Sequence, residues 1–189
     1  MGLHRFQRNQ LAVTPWKNGG GSTREIACWP PGAGIQDFSW RVSIATIAAA
    51  GPFSVFEGVD RSIMLLDGDG VTLRSDDGRI DHRLDTPFQP FAFSGDAIID
   101  CTLPGGPSTD FNVMTRRVQW HAELRVLDQA SATEAAPHGV LLALRGSWRV
   151  AGQQSSCHQG EGLYWTDASH AWRVEPQTPG ARLALVRFV

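Results

Sequence analysis

The sequence predicts an all-β fold with very little helix, and three observations support this. Short apolar or alternating runs recur along the 189 residues. Glycine and proline, 20 and 11 in number, separate these runs, and no stretch of a dozen residues carries a helical stripe of apolar side chains. Strands that recur about every 8–12 residues with turn signals between them are typical of sandwiches, jelly rolls and barrels.

Residues 38–44 predict the clearest strand, because apolar and polar side chains alternate strictly. Its apolar face carries Phe38, Trp40, Val42 and Ile44, and its polar face carries Ser39, Arg41 and Ser43. Residues 61–66 predict a second strand, and the glycine-rich segment 68–70 predicts a tight turn into residues 71–73. Further strands are predicted over residues 80–84, 91–93, 97–103 and 110–118.

The second half of the chain repeats this arrangement in a shorter form. The segment around Gly68 resembles the segment around Gly146, and residues 91–96 resemble residues 163–167. Such a repeat predicts two related β units. We therefore expect an N-terminal unit over residues 1–120, which carries the motif-bearing pocket, and a smaller C-terminal unit over residues 121–189.

The net charge and the absence of targeting signals argue against nucleic acid and membranes as partners. Seventeen Lys and Arg against nineteen Asp and Glu give a net charge of −2, so no basic field indicates binding to nucleic acid or to an anionic membrane. No apolar run is long enough to span a bilayer, and the first residues lack the pattern of a secretory signal. Three widely spaced cysteines favour free thiols in a reducing compartment, so we expect a cytoplasmic protein.

Residues 16–26 form the most unusual segment, because three consecutive glycines interrupt it. The segment does not match a phosphate-binding loop, since its lysine precedes the glycines. Two interpretations remain open: a flexible turn, or a loop at the mouth of a pocket. In the second interpretation the loop supplies an apolar wall and polar contacts from Trp16, Asn18, Thr23 and Glu25.

Arg61 is the main candidate for a ligand anchor. On a strand it shares a face with Ile63 and Leu65, so its stem is buried and its guanidinium lies at the edge of a pocket. A guanidinium fork suits a carboxylate ligand; the alternative is a structural ion pair with a nearby carboxylate. Arg41 and Arg116 either converge on the same place or face solvent.

The sequence argues against a metal site. Its six histidines are scattered and include no His-x-His pair, and no Gly-x-Ser-x-Gly motif is present. Such motifs mark metal sites in β-barrels and the active sites of serine hydrolases, respectively. We therefore expect no metal and no cofactor, and we assign no catalytic residue.

Three segments together resemble the HutD/Ves family of bacterial proteins: residues 16–26, 38–61 and 110–117. This resemblance implies a bicupin, with two jelly-roll or β-barrel units packed as one compact body. It also implies, for the HutD branch, a link to histidine utilisation, moderated by sensing an intermediate such as N-formylglutamate. The Ves branch is associated with stress, and the sequence leaves the branch open. Metal-binding cupins carry two histidines where this chain has Glu57 and Val59, which argues against metal-dependent chemistry.

The first hypothesis is a non-enzymatic protein that binds a small organic acid or an acylated amino acid. Arg61 pairs with the ligand carboxylate, and the other expected contacts are Trp16, Asn18, Thr23, Glu25, Arg41, Phe53, Asn112 and Arg116. One alternative is a cupin enzyme that acts on a similar acid with Glu25 or Glu57 as base. Another is an interaction module with a filled interior that binds a partner protein. The sequence leaves monomer and homodimer open.

Overall fold

The computed structural model describes residues 2–189 of the chain. Over this range the chain forms nineteen β-strands and one short 3-10 helix, Arg8–Gln10. The all-β prediction is therefore confirmed. No helix in the described range is long and apolar enough to cross a membrane.

The strands divide into two compact units. The first unit is Ala12–Trp120, and the second contains residues 2–11 together with His121–Val189. The first strand, β1 (Gly2–Gln7), pairs with Glu161–Thr166. Residues 2–11 thus lie with the C-terminal segment, whereas the division expected from the sequence placed them in the N-terminal unit. This pairing spans most of the chain, and no local pattern in the sequence indicates it.

The first unit contains two antiparallel sheets. Its strands are β2 (Val13–Pro15), β3 (Gly21–Trp29), β4 (Trp40–Ile47), β5 (Gly51–Pro52), β6 (Val59–Asp67), β7 (Val71–Ser75), β8 (Asp81–Leu84), β9 (Pro90–Ser94), β10 (Ile99–Thr102) and β11 (Ser108–Arg116). The six-stranded sheet has the order β2-β3-β4-β11-β6-β9, and the four-stranded sheet has the order β5-β10-β7-β8. An apolar core that includes Ile63, Leu65, Leu73 and Cys101 contains side chains from both sheets.

The second unit also contains two antiparallel sheets. Its remaining strands are β12 (Ala122–Leu127), β13 (Ser131–Ala132), β14 (His138–Arg145), β15 (Ser147–Val150), β16 (Cys157–His158), β17 (Glu161–Thr166), β18 (Arg173–Pro176) and β19 (Arg182–Phe188). The five-stranded sheet has the order β1-β17-β14-β19-β12, and the four-stranded sheet has the order β13-β18-β15-β16. Its core cluster is apolar and includes Leu141, Trp148, Leu163 and Trp165.

The two glycines that aligned the halves of the sequence occupy equivalent turns. Gly68 connects β6 to β7 with a φ of 100°, and Gly146 connects β14 to β15 with a φ of 68°. Both conformations lie in the left-handed region, which glycine adopts without steric cost. A glycine with a left-handed backbone conformation therefore lies between corresponding strands of the two units.

Strand β4 is buried on both faces, and this places the candidate site. The apolar residues Trp40, Val42 and Ile44 are at most 2% exposed. On the opposite, polar face, Ser43 is 1% exposed and the side chain of Arg41 is 14% exposed. The polar face thus lies largely in the interior rather than in solvent.

Candidate functional site

The strand register aligns the side chains of the six-stranded sheet in three rows. The first row contains Thr23, Ala45, Asp110 and Leu65. The second contains Glu25, Ser43, Asn112, Ile63 and Phe91. The third contains Cys28, Arg41, Met114, Arg61 and Phe93. Because paired residues of antiparallel strands project to the same side, these rows lie on one face of the sheet. We call this face, which carries the polar side of β4, the inner face.

Arg61 is a buried cation surrounded by aromatic rings. The residue is 8% exposed. Its guanidinium carbon lies 5.2 Å from the ring centre of Phe53, 5.6 Å from that of Phe56 and 5.0 Å from that of Phe93. These distances are within the range of cation–π attraction. Burial lowers the pKa of Arg61 to about 10, although Asp110 acts in the opposite direction, so the guanidinium stays charged at neutral pH.

The hydrogen bonds of this guanidinium are incomplete. Nη2 donates to Oδ1 of Asn112 over 3.4 Å, while the buried Nε has no hydrogen-bond partner among residues 2–189. No ion pair shorter than 4.0 Å joins Arg61 to a carboxylate in that range. The structural ion pair that the sequence left open as the alternative is therefore not formed.

Asp110 is a buried charged residue of the same unit. It is 3% exposed, and its Oδ1 has no hydrogen-bond partner in the described part of the chain. Burial raises the pKa of Asp110 to about 7, with the charge of Arg61 acting against this rise. A carboxyl group with this pKa exists in both protonation states near neutral pH.

Arg41 and Glu25 form a pair at the edge of this polar face. Nε of Arg41 donates to Oε2 of Glu25 over 2.7 Å. The side chain of Glu25 is 43% exposed, so the pair connects the interior with solvent. The positive charge of Arg41 contributes to the lowered pKa of Arg61, which shows that the two arginines lie within electrostatic reach of each other.

The glycine segment forms the turn between β2 and β3. Nε1 of Trp16 donates to Oγ1 of Thr23 over 2.8 Å, and the Trp16 ring lies so close to Gly21 that a side chain would not fit there. Thr23 occupies the same row as Asp110. Trp16 and Thr23 are therefore fixed to each other at one end of the polar face.

Two of the expected site residues have other roles in the structure. Asn18 is exposed and its Oδ1 accepts a hydrogen bond from the backbone of Gly20, so it caps its own turn. Arg116 donates to the carbonyl oxygens of Phe38 and Gln36 and thereby holds that segment. The structure shows neither residue in contact with Arg61.

Neither of the two carboxylates considered as catalytic bases is buried. Glu57 is exposed in the turn before β6, and Glu25 is engaged by Arg41. Among residues 2–189, no group of three or more His, Cys, Asp or Glu side chains is arranged to hold a metal ion. The groups available to a ligand on this face are thus the cation of Arg61, the carboxyl group of Asp110, the amide of Asn112 and the hydroxyl group of Thr23.

Sequence reasoning missed Asp110, Phe56 and Phe93. Asp110 lies two residues before Asn112 on a strand, so the two side chains share a face. This spacing alone predicts that Asp110 lies on the same face as Asn112. Phe93 and Phe56 carry no such signal, because their positions over Arg61 depend on strand register and on a loop.

The fold and this site define the class of protein: an all-β, cupin-like protein with a buried arginine on the inner face of its first unit. The HutD family model matches residues 8–184, and the chain belongs to the HutD family.

Individual relatives agree with this assignment. Protein Ves from Citrobacter koseri is 40% identical over 173 residues, which cover 91% of this chain and 87% of that protein. The structure of HutD from Pseudomonas fluorescens SBW25 (formate condition) is similar with a TM-score of 0.86 and 31% identity, covering 100% of this chain and 98% of that one.

The fold extends to much more distant proteins. Salicylate 1,2-dioxygenase from Pseudoaminobacter salicylatoxidans has a TM-score of 0.69 at 9% identity, covering 98% of this chain and 81% of that one. At this identity the likeness concerns the fold alone.

Proposed function

We propose that this chain binds a small organic acid on the inner face of its first unit, and that it thereby moderates histidine utilisation without catalysing a reaction. The observation that carries the proposal is Arg61, a buried cation with an unpaired Nε and no carboxylate at ion-pair distance among the described residues. A buried charge is costly unless it is paired. A ligand carboxylate is the chemical group that satisfies it best.

The neighbouring polar groups suit an acylated acidic amino acid. Oδ1 of Asn112 accepts from Arg61, which leaves its amide hydrogens to donate to a ligand. Oγ1 of Thr23 accepts from Trp16, which leaves the hydroxyl hydrogen to donate. Two donors and a cation match a formyl oxygen and a carboxylate, as in N-formylglutamate.

The link to histidine utilisation comes from membership of the HutD family. Acids formed during histidine breakdown are therefore the natural ligands to test. In this proposal the bound acid reports the level of an intermediate, and the protein limits the pathway in response.

A thermal-shift screen tests the proposal. The protein is heated with histidine, urocanate, N-formylglutamate, glutamate or formate, each over a range of concentrations. A bound acid stabilises the fold by about 2.7 kcal/mol at a hundredfold excess over its Kd. We expect at least one acid to raise Tm by an amount that depends on its concentration, as binding to a single site requires. If none of the acids shifts Tm, the proposal is wrong and the interaction-module hypothesis gains support.

A further inference from the structure

Asp110 is a buried charged residue of the inner face that has no role in the proposed function. The row register places Asp110, Asn112 and Arg61 on the same side of β11 and β6. Asn112 contacts Arg61 directly, and Asp110 lies two residues further along the strand, or about 7 Å. A ligand held by Arg61 beside Asn112 therefore comes close to the carboxyl group of Asp110.

Counting charges shows what binding of an acid requires. With Arg41 neutralised by Glu25, the buried charges among the described residues of the first unit are one positive charge on Arg61 and one negative charge on ionised Asp110. A bound carboxylate adds a negative charge that Arg61 alone cannot balance. Burying an uncompensated charge is costly, and a titratable group protonates instead.

We infer that Asp110 is a ligand-binding residue that acts in its protonated form: the acid enters together with one proton, and the Asp110 O–H donates a hydrogen bond to it. The proton comes from a hydronium ion or a buffer acid: the O–H or N–H bond of that donor breaks, an O–H bond forms on Asp110, and no bond of the ligand changes. This inference rests on the proposed function, because it requires an anionic ligand. It assigns the free polar atom of Asp110 a partner and leaves Arg61 and the one ligand carboxylate that it holds as a neutral pair.

The surroundings of Asp110 support this role. Among residues 2–189, the charged and titratable groups that interact with Asp110 are Arg61 on β6 and Cys101 on β10. Arg41 on β4 acts on Arg61 and is itself paired with Glu25 on β3. Burial, together with Asp110, raises the pKa of Cys101 to about 12, so it remains a neutral thiol. Burial also raises the pKa of Asp110 to about 7, and a bound anion raises it further.

Calorimetry with N-formylglutamate tests the inference, because the carboxylates of this acid are ionised throughout the range used. Binding is measured between about pH 5.5 and 8.5 in phosphate and in Tris, whose ionisation enthalpies differ. If Asp110 takes up a proton when the acid binds, we expect binding to take up almost no protons at the lower pH and close to one proton at the higher pH. We also expect the affinity to fall up to about tenfold per pH unit above about pH 7.

Two variants separate Asp110 from other titrating groups. Asp110→Asn carries a permanent neutral donor, so it should bind with no proton uptake and with an affinity that does not change with pH. Asp100→Asn, which removes an exposed carboxylate from β10, should behave like the wild type. The His82 ring stacks on the Phe91 ring with 3.7 Å between their centroids. Because His82 is unchanged in both variants, it does not account for a difference between them.

The outcomes are distinct. Proton uptake by the wild type and its loss in Asp110→Asn support the inference. Binding without uptake, or uptake that persists in Asp110→Asn, overturns the inference but leaves the proposed function intact. Absence of N-formylglutamate binding at every pH, together with a negative thermal-shift screen, overturns both.

Discussion

Nη2 of Arg61 donates a hydrogen bond to Oδ1 of Asn112 over 3.4 Å in the interior of the first unit. The two residues lie on neighbouring strands, and Asn112 is paired with Ile63 rather than with Arg61 itself. The contact is therefore diagonal, and it draws the long side chain of Arg61 along the sheet toward Asp110. In the proposed function, the acid binds beside this contact.

Replacing Asn112 tests whether the guanidinium of Arg61 must be free of a protein carboxylate to bind a ligand. Asn112→Asp places a carboxylate next to Arg61, where it forms a buried ion pair and competes with an incoming acid. We expect Asn112→Asp to lose binding of N-formylglutamate almost completely, and Asn112→Ala to lose only about tenfold, since a single hydrogen bond is removed. Calorimetry on both variants measures this order, and equal affinities would contradict it.

The stability of the unliganded protein should report the protonation of Asp110. Its pKa is raised in the folded state, so the folded protein binds this proton more tightly than the unfolded chain. The resulting stabilisation is complete below about pH 4 and is lost as the pH rises to about 7. Asp110→Asn removes this dependence. The stability of the variant relative to the wild type should therefore increase by on the order of 4 kcal/mol from pH 4 to 8.

Urea unfolding at a series of pH values measures this difference. The other carboxylates of the protein are common to both chains and cancel. A stability difference that stays constant over this range would show that Asp110 does not titrate within it.

The ring of Phe53 should stabilise the charge of Arg61. Its centroid lies 5.2 Å from the guanidinium carbon. Phe53→Leu keeps most of the apolar volume but removes the π face, so we expect a loss of about 1 kcal/mol in stability. A double-mutant cycle with Arg61→Gln isolates the interaction, and a coupling energy of zero would contradict the assigned contact.

Gly68 is expected to tolerate no side chain. At its φ of 100°, a Cβ would meet the carbonyl oxygen of Pro107 at 2.5 Å and Cα of Ser108 at 2.7 Å. Gly19 also has a positive φ, but a Cβ there meets nothing within 4 Å. Gly19→Ala should therefore cost about 1–2 kcal/mol, from backbone conformation alone, and Gly68→Ala clearly more. Similar Tm values for the two variants would contradict this explanation.

Much of the fold and part of the site could be predicted from the sequence. Alternation gave β4 and its two faces, and the glycine turns gave the relation between Gly68 and Gly146. The burial of Arg61 agrees with the face that it shares with Ile63 and Leu65 on a strand. These features depend on local periodicity and turn chemistry, which a single sequence displays.

The remainder depends on contacts between distant segments. The pairing of β1 with β17 joins residues more than 150 positions apart, and no local pattern encodes it. The rows that place Asp110 near Arg61 require the register between β6 and β11, including an irregularity beside Asp110. Asn18 and Arg116 were expected in the site because their side chains suit an acid, but backbone groups engage both of them: that of the nearby Gly20 for Asn18 and that of the distant Phe38 for Arg116.

The most direct test of the central claim is the affinity of N-formylglutamate for the wild type and for Arg61→Gln, measured by calorimetry at about pH 6. Arg79→Gln, which replaces an exposed arginine in a turn, serves as the control. If Arg61 holds the ligand carboxylate, the affinity of Arg61→Gln falls by roughly 10- to 150-fold, while the control matches the wild type. An Arg61→Gln variant that is folded and binds as tightly as the wild type would contradict the account.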